Sequence, residues 1–107
     1  VFIPIPPDVV AKIGNTAYQA GVIPAGTYPG QDEDLNTVSI RNVLFTHAGV
    51  PGEIIYSVTK SLFENLDQLA NAHAAARAIA RDQATVGLPL PLHPGAERYY
   101  RETGLIK

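Results

Sequence analysis

Residues Ile23 to His47, IPAGTYPGQDEDLNTVSIRNVLFTH, decide how the chain is read. From Val38 onward, Val38, Ile40, Asn42 and Leu44 fall on one face and Ser39, Arg41, Val43 and Phe45 on the other. That is the period of two imposed by a pleated strand. The second half of the run is apolar on both faces, which predicts a strand that leaves a surface and ends covered on both sides. Just upstream, Tyr28-Pro29-Gly30 places Pro at the second position of a turn with Gly behind it. Asp32, Glu33 and Asp34 then make an acidic loop.

Towards the N-terminus, Val1 to Ile5 is apolar but chopped by Pro4, Pro6 and Pro7, so it predicts an edge or terminal strand and not a helix. Asp8 reads as an N-cap, followed by Val9, Val10, Ile13, Ala17 and Ala20 at helical spacing and Gly21 at the end. Gly14 and Asn15 weaken the middle of that helix. Val22 to Thr27 reads as a brief extended segment before the turn.

Towards the C-terminus, Gly49-Val50-Pro51-Gly52 breaks the chain. Pro51 and Glu53 suit the first turn of a second helix. Its apolar stripe is Ile54, Ile55, Val58, Leu62, Leu66 and Leu69, opposite Lys60, Glu64 and Asp67. Ala72 to Ala84 predicts an alanine-rich third helix. Pro89 and Pro91 make Val86 to Leu92 an extended crossing, and His93-Pro94-Gly95 starts a last helix through Arg101 that Gly104 ends. This order of elements is α/β layering. Two or three strands are few for a mixed sheet, so some strand partners are expected in another part of a parent protein or in another subunit.

The 107 residues amount to about one domain. A formal net charge of -2 with 17% charged residues leaves no basic field for nucleic acid or an anionic membrane. No apolar run approaches the roughly 20 residues that span a bilayer, and no secretory-signal pattern opens the chain. Val1 comes first and Met is absent throughout, so a processed product or an excised fragment is expected. Zero Cys excludes disulfides and thiol chemistry.

The candidate chemistry is sparse. Asp32-x-Asp34-x-Asn36 matches the opening of a calcium loop, but Thr37 stands where the loop needs Gly and Val43 where it needs Glu. A solvated acidic loop is the better reading. His93 and Glu97 lie four apart at a helix start, and two ligands are too few for zinc, so support of the helix's first turn is preferred. Neither a nucleophile elbow nor a phosphate-cradling glycine loop is present, and the expectation is that the protein is not an enzyme and uses no cofactor. Tyr28, Gln31, Arg41 and Asn42 border the turn and the strand and are the polar residues placed to face a small ligand; Arg41 suits a carboxylate in a bidentate fork. For Tyr28 the competing reading is packing over the turn, and for Arg41 a side chain snorkelling to solvent.

Longer motifs carry a resemblance. Residues Ile23-Pro24-Ala25-Gly26-Thr27-Tyr28-Pro29-Gly30-Gln31-Asp32-Glu33-Asp34, then Asn42-Val43-Leu44, Leu62-Phe63-Glu64-Asn65-Leu66 and Pro91-Leu92-His93-Pro94-Gly95-Ala96-Glu97-Arg98-Tyr99-Tyr100, resemble the C-terminal region of TAXI-type solute receptors of TRAP transporters. The resemblance implies an extracytoplasmic, periplasmic receptor of the type II periplasmic-binding-protein fold, with two lobes and few strands flanked by helices here. It implies capture of a small organic acid or amino acid, such as glutamate, and delivery to TRAP membrane subunits. It further implies that residues 1–107 form a single C-terminal fragment whose remaining lobe elements, and the strand partners of Thr37 to Thr46, lie elsewhere. Tyr28, Gln31 and Asn42 stay as the candidate ligand-binding residues, with Gly26, Gly30 and Gly49 as candidate hinges. The alternative is a non-catalytic interaction module that self-associates through its exposed strand edge and alanine-rich helix.

Overall fold

The structure is a computed structural model that describes residues Val1–Lys107. The chain forms two compact units. The first comprises Val1–Val43 with Gly87–Pro89, the second Leu44–Val86 with Leu90–Lys107. Together they combine helices with a small two-stranded sheet, the α/β class expected from the element order.

In the first unit, helix α1 (Pro7–Lys12) begins with Pro7 in its first turn, where the missing N–H has no helical partner to lose. It covers less than half of the helix expected through Ala20. Gly14 takes a φ of +69°, the Asn15 side chain accepts a hydrogen bond from Ala17 N at 2.9 Å, and the chain then becomes strand β1 (Tyr18–Ile23). The helical spacing of Ala17 and Ala20 is outweighed by that turn and by β-formers at Tyr18, Val22 and Ile23.

Strand β2 (Leu35–Ile40) pairs antiparallel with β1, from Ile23 opposite Leu35 to Tyr18 opposite Ile40. The central strand therefore finds a partner within the chain over its first half. It starts earlier than its alternation suggests, and its expected continuation to Thr46 has no partner because β1 begins opposite Ile40. Val1 to Ile5 forms no strand. Ile5 N alone donates to Asn36 O, at 2.9 Å, since Pro4, Pro6 and Pro7 have no N–H to add to a ladder.

The second unit is helical. Helix α2 (Gly52–Glu64) is followed by α3 (Leu66–Ala72), two short 3-10 turns (Ala74–Ala78 and Arg81–Gln83), and α4 (Pro94–Glu102). The stripe expected as one helix to Leu69 is broken at Asn65, where φ/ψ are -122° and 32° and the side-chain amide donates to Ser61 O at 2.7 Å. That side chain satisfies a carbonyl the helix would otherwise use, a competition typical of Asn. The expected alanine-rich helix is absent: none of Ala74–Ala78 is buried, so no apolar face holds a long helix against a neighbour. The last helix follows its expectation, and Gly104 leaves it with a φ of +74°.

The core of this unit is aromatic. Phe63 of α2 stacks on Tyr99 with ring centroids 5.8 Å apart and meets Tyr100 edge-on at 6.0 Å. Leu62, Leu66, Leu92, Ala96, Leu105 and Ile106 close around them. No helix of the chain is long and apolar enough to cross a membrane.

Candidate functional site

The connection between β1 and β2, residues 24 to 34, is the most elaborately built loop in the first unit. Gly26 and Gly30 both take a φ of +77°, which lets the chain double back twice. Gln31 holds the loop from inside. Its side-chain amide donates to Ile23 O at 3.1 Å, Pro24 O at 3.1 Å and Glu33 O at 3.0 Å, and its Oε1 accepts from Tyr28 N at 3.3 Å. Gln31 is only 6% exposed. Asp34 clasps the base by accepting from Ala25 N at 2.8 Å, and Gly26 N donates to Gln31 O at 2.7 Å.

This network leaves the Tyr28 ring half exposed, stacked on Phe2 with centroids 5.8 Å apart and planes 26° from parallel. Beside it, Phe2, Pro4 and Gln31 to Leu35 line an open groove of about 490 Å³. Its wall carries Asp32, Glu33 and Asp34 and no basic side chain.

Two of the three candidate ligand residues are thus brought together. Tyr28 presents a ring and hydroxyl from the loop, while the polar atoms of Gln31 are spent on the loop's own backbone. Gln31 positions Tyr28. Asn42 lies beyond the end of β2, exposed, and shares no hydrogen bond with either residue; the strand face on which the alternation places it stops at Ile40. Sequence reasoning placed Asp34 in a solvated acidic loop and missed its bond to Ala25 N, and it missed the ring partner Phe2. Asp34 was findable, because an Asp just before a strand commonly accepts from loop backbone. Phe2 gives no local signal, since its partner is remote in sequence.

In the second unit, the histidines share one local device. The Nδ1 atoms of His47, His73 and His93 each accept from the backbone N–H two residues on, in Gly49, Ala75 and Gly95, at 2.9, 3.2 and 3.2 Å. An acceptor Nδ1 fixes the proton of neutral His93 on Nε2, which lies 3.1 Å from Val50 O and donates to it. Glu97 takes the Arg101 guanidinium at 2.6 Å. Across α2 and α4, Arg98 bonds Glu53 at 2.7 Å and Glu102 at 3.0 Å, and lies 4.3 Å from the centre of the Tyr56 ring. The Tyr56 hydroxyl donates to Glu102 at 2.6 Å. That bond, then the Arg98 guanidinium, holds the Glu102 carboxyl below the ordinary carboxylate range, and the same bond holds the Tyr56 phenol above its own.

Residues 1–104 match the model of the NMT1-like family.

Proposed function

Because the chain belongs to the NMT1-like family, a periplasmic solute-binding family, we propose that it serves as receptor for a TRAP-type secondary transporter of the TAXI kind. It captures a small organic acid or amino acid in the periplasm and hands it to the transporter's membrane subunits. Binding is the whole of its task, with no catalytic step and no cofactor. The observation that supports the solute-receptor role is the family match over nearly the full chain, and the finer TRAP and TAXI assignment rests on the resemblance of the 23 to 34 motif.

Tyr28 is the ligand-facing residue with the best local support, since Gln31 fixes the loop that presents it. Asn42 is a second contact, exposed and free to turn to a solute. The carboxylates of Asp32, Glu33 and Asp34 favour a ligand with an ammonium group, so amino acids come ahead of simple dicarboxylates.

The test is a thermal melt of the chain with amino acids, glutamate among them, and with dicarboxylates. A true ligand at about 100 times its Kd adds about 2.7 kcal/mol of stability, and Tyr28→Ala should remove most of that gain while leaving the unliganded melt in place. A shift that Tyr28→Ala leaves intact takes Tyr28 out of the site. No shift with any compound, in this chain or in a longer form of the protein, sinks the receptor reading.

A further inference from the structure

The groove beside Tyr28 lies wholly within the first unit, and its two walls differ in chemistry. Phe2, Pro4 and Leu35 make one wall apolar, and Asp32, Glu33 and Asp34 make the other acidic. The apolar wall is assembled from two remote pieces of chain. Ile5 N donates to Asn36 O at 2.9 Å, which seats residues 1 to 5 beside β2, and the Phe2 ring then stacks on Tyr28. Phe2 is still 45% exposed, so its ring has surface left for a further contact.

We propose that Phe2 selects the solute, and that the solute is an amino acid with an uncharged, apolar side chain. This deepens the receptor reading and rests on it. The ammonium group meets the acidic wall, while the α-carboxylate beside it stays in water at the open side of the groove. The solute's side chain is then left to the apolar wall. An apolar one leaves water there with a gain that grows with the area covered. The side-chain carboxylate of glutamate would instead lose water against Phe2, Pro4 and Leu35 and meet no cation, because no basic side chain lines the groove. A dicarboxylate carries the same penalty and lacks the ammonium group as well.

Calorimetric titration of the full 107-residue chain with leucine, glutamate and succinate tests this, in the parent, Phe2→Ala and Phe2→Tyr. Leucine should bind the parent about tenfold or more tighter than glutamate. Phe2→Ala should weaken leucine about tenfold and leave glutamate nearly unchanged, whereas Phe2→Tyr keeps the ring and should keep the preference. The quantity read is the ratio of the leucine and glutamate Kd values, since a general loss of structure would weaken both solutes together.

Nuclear Overhauser contacts between the leucine methyl protons and the Phe2 ring of the parent read the same placement without any variant. Glutamate or succinate bound as tightly as leucine overturns the proposal and leaves the receptor reading standing. So does a ratio that Phe2→Ala does not move, or bound leucine that gives no contact to Phe2. Absence of binding by every solute overturns the proposal too, and the receptor reading falls with it only when a longer form of the protein is equally silent.

Discussion

Gly95 and Gly52 bring helices α4 and α2 together backbone against backbone. A Cβ on Gly95 would overlap the carbonyl oxygen of Gly52 and stand 2.7 Å from the Tyr56 amide nitrogen. Neither atom is the end of a flexible side chain, so the helices themselves would have to separate. The relationship is one-sided: a Cβ on Gly52 meets Gly95 N at 3.9 Å, an ordinary contact. Gly95→Ala is therefore expected to destabilise the helical unit by about 2 kcal/mol, and Gly52→Ala to leave it within about 0.5 kcal/mol of the parent. Urea melts of the two variants, side by side, check the asymmetry; equal losses would mean that the helices do not meet at Gly95.

Gln31 makes a second, sharper prediction in the other unit. Its amide satisfies three carbonyls and one N–H of the loop from a buried position. Pro24 O keeps its bonds from Thr27 N and Oγ1, but Glu33 O and Tyr28 N lose the bonds that Gln31 gives them, so Gln31→Ala should cost about 2 kcal/mol. Gln31→Glu keeps the size but loses the donors and aims a carboxylate at three carbonyl oxygens; it should be at least as damaging. Asp32→Ala, at an exposed neighbour, should be nearly silent. Denaturant titrations measure all three, and a silent Gln31→Ala would show that the loop is held by its turns alone.

The contrast between Gln31 and Gly95 shows what the chain discloses before folding. Local signals were legible: Pro94 and Gly104 bracket the last helix, and the alternation around Val38 lies on β2. The helix stripe from Ile54 was legible to Leu62. Its break was not, because Asn65 ends α2 through a bond to its own turn that apolar spacing does not register. Likewise Gly14 and Asn15 read as weak points of a helix when they are its end. The site was half legible. Gln31 stood out as a polar residue in a turn, but whether it faces a ligand or its own loop depends on three-dimensional closure. Gly95 gave no sign of its role, since the atoms that exclude a side chain there belong to a distant helix.

The aromatic cluster is the main apolar support of the helical unit. Phe63, Tyr99 and Tyr100 are its three buried large side chains, and Arg81 lies 5.9 Å from the centre of the Phe63 ring. Phe63→Ala removes the ring that both tyrosines lean on and is expected to cost about 3 kcal/mol or more. Phe63→Leu fills part of the space and should lose less. Near-ultraviolet circular dichroism together with the melt separates loss of packing from loss of helix; an unchanged melt for Phe63→Ala would remove the cluster from the core.

Tyr56 and Glu102 set the pH dependence. The Glu102 carboxyl is held down by the Tyr56 hydroxyl and then by Arg98. A depressed carboxylate contributes stability that is complete above about pH 4.3, its unfolded value, and that is lost as pH falls through the folded value. The phenols run the other way. Tyr56 is raised first by its bond to Glu102, Tyr100 first by burial. Their contribution is complete below about pH 10 and is lost as pH climbs through the raised folded values. Stability should therefore plateau between these limits and fall on both sides. Tyr56→Phe removes the donor, so the Glu102 carboxyl should titrate closer to an ordinary glutamate while Arg98 still holds it partly down. The alkaline loss should shrink to what Tyr100 supplies. Carboxyl titration by NMR in parent and variant reads the first effect, and melts across pH read the second; a Glu102 that titrates identically in both would show that Arg98 alone sets it.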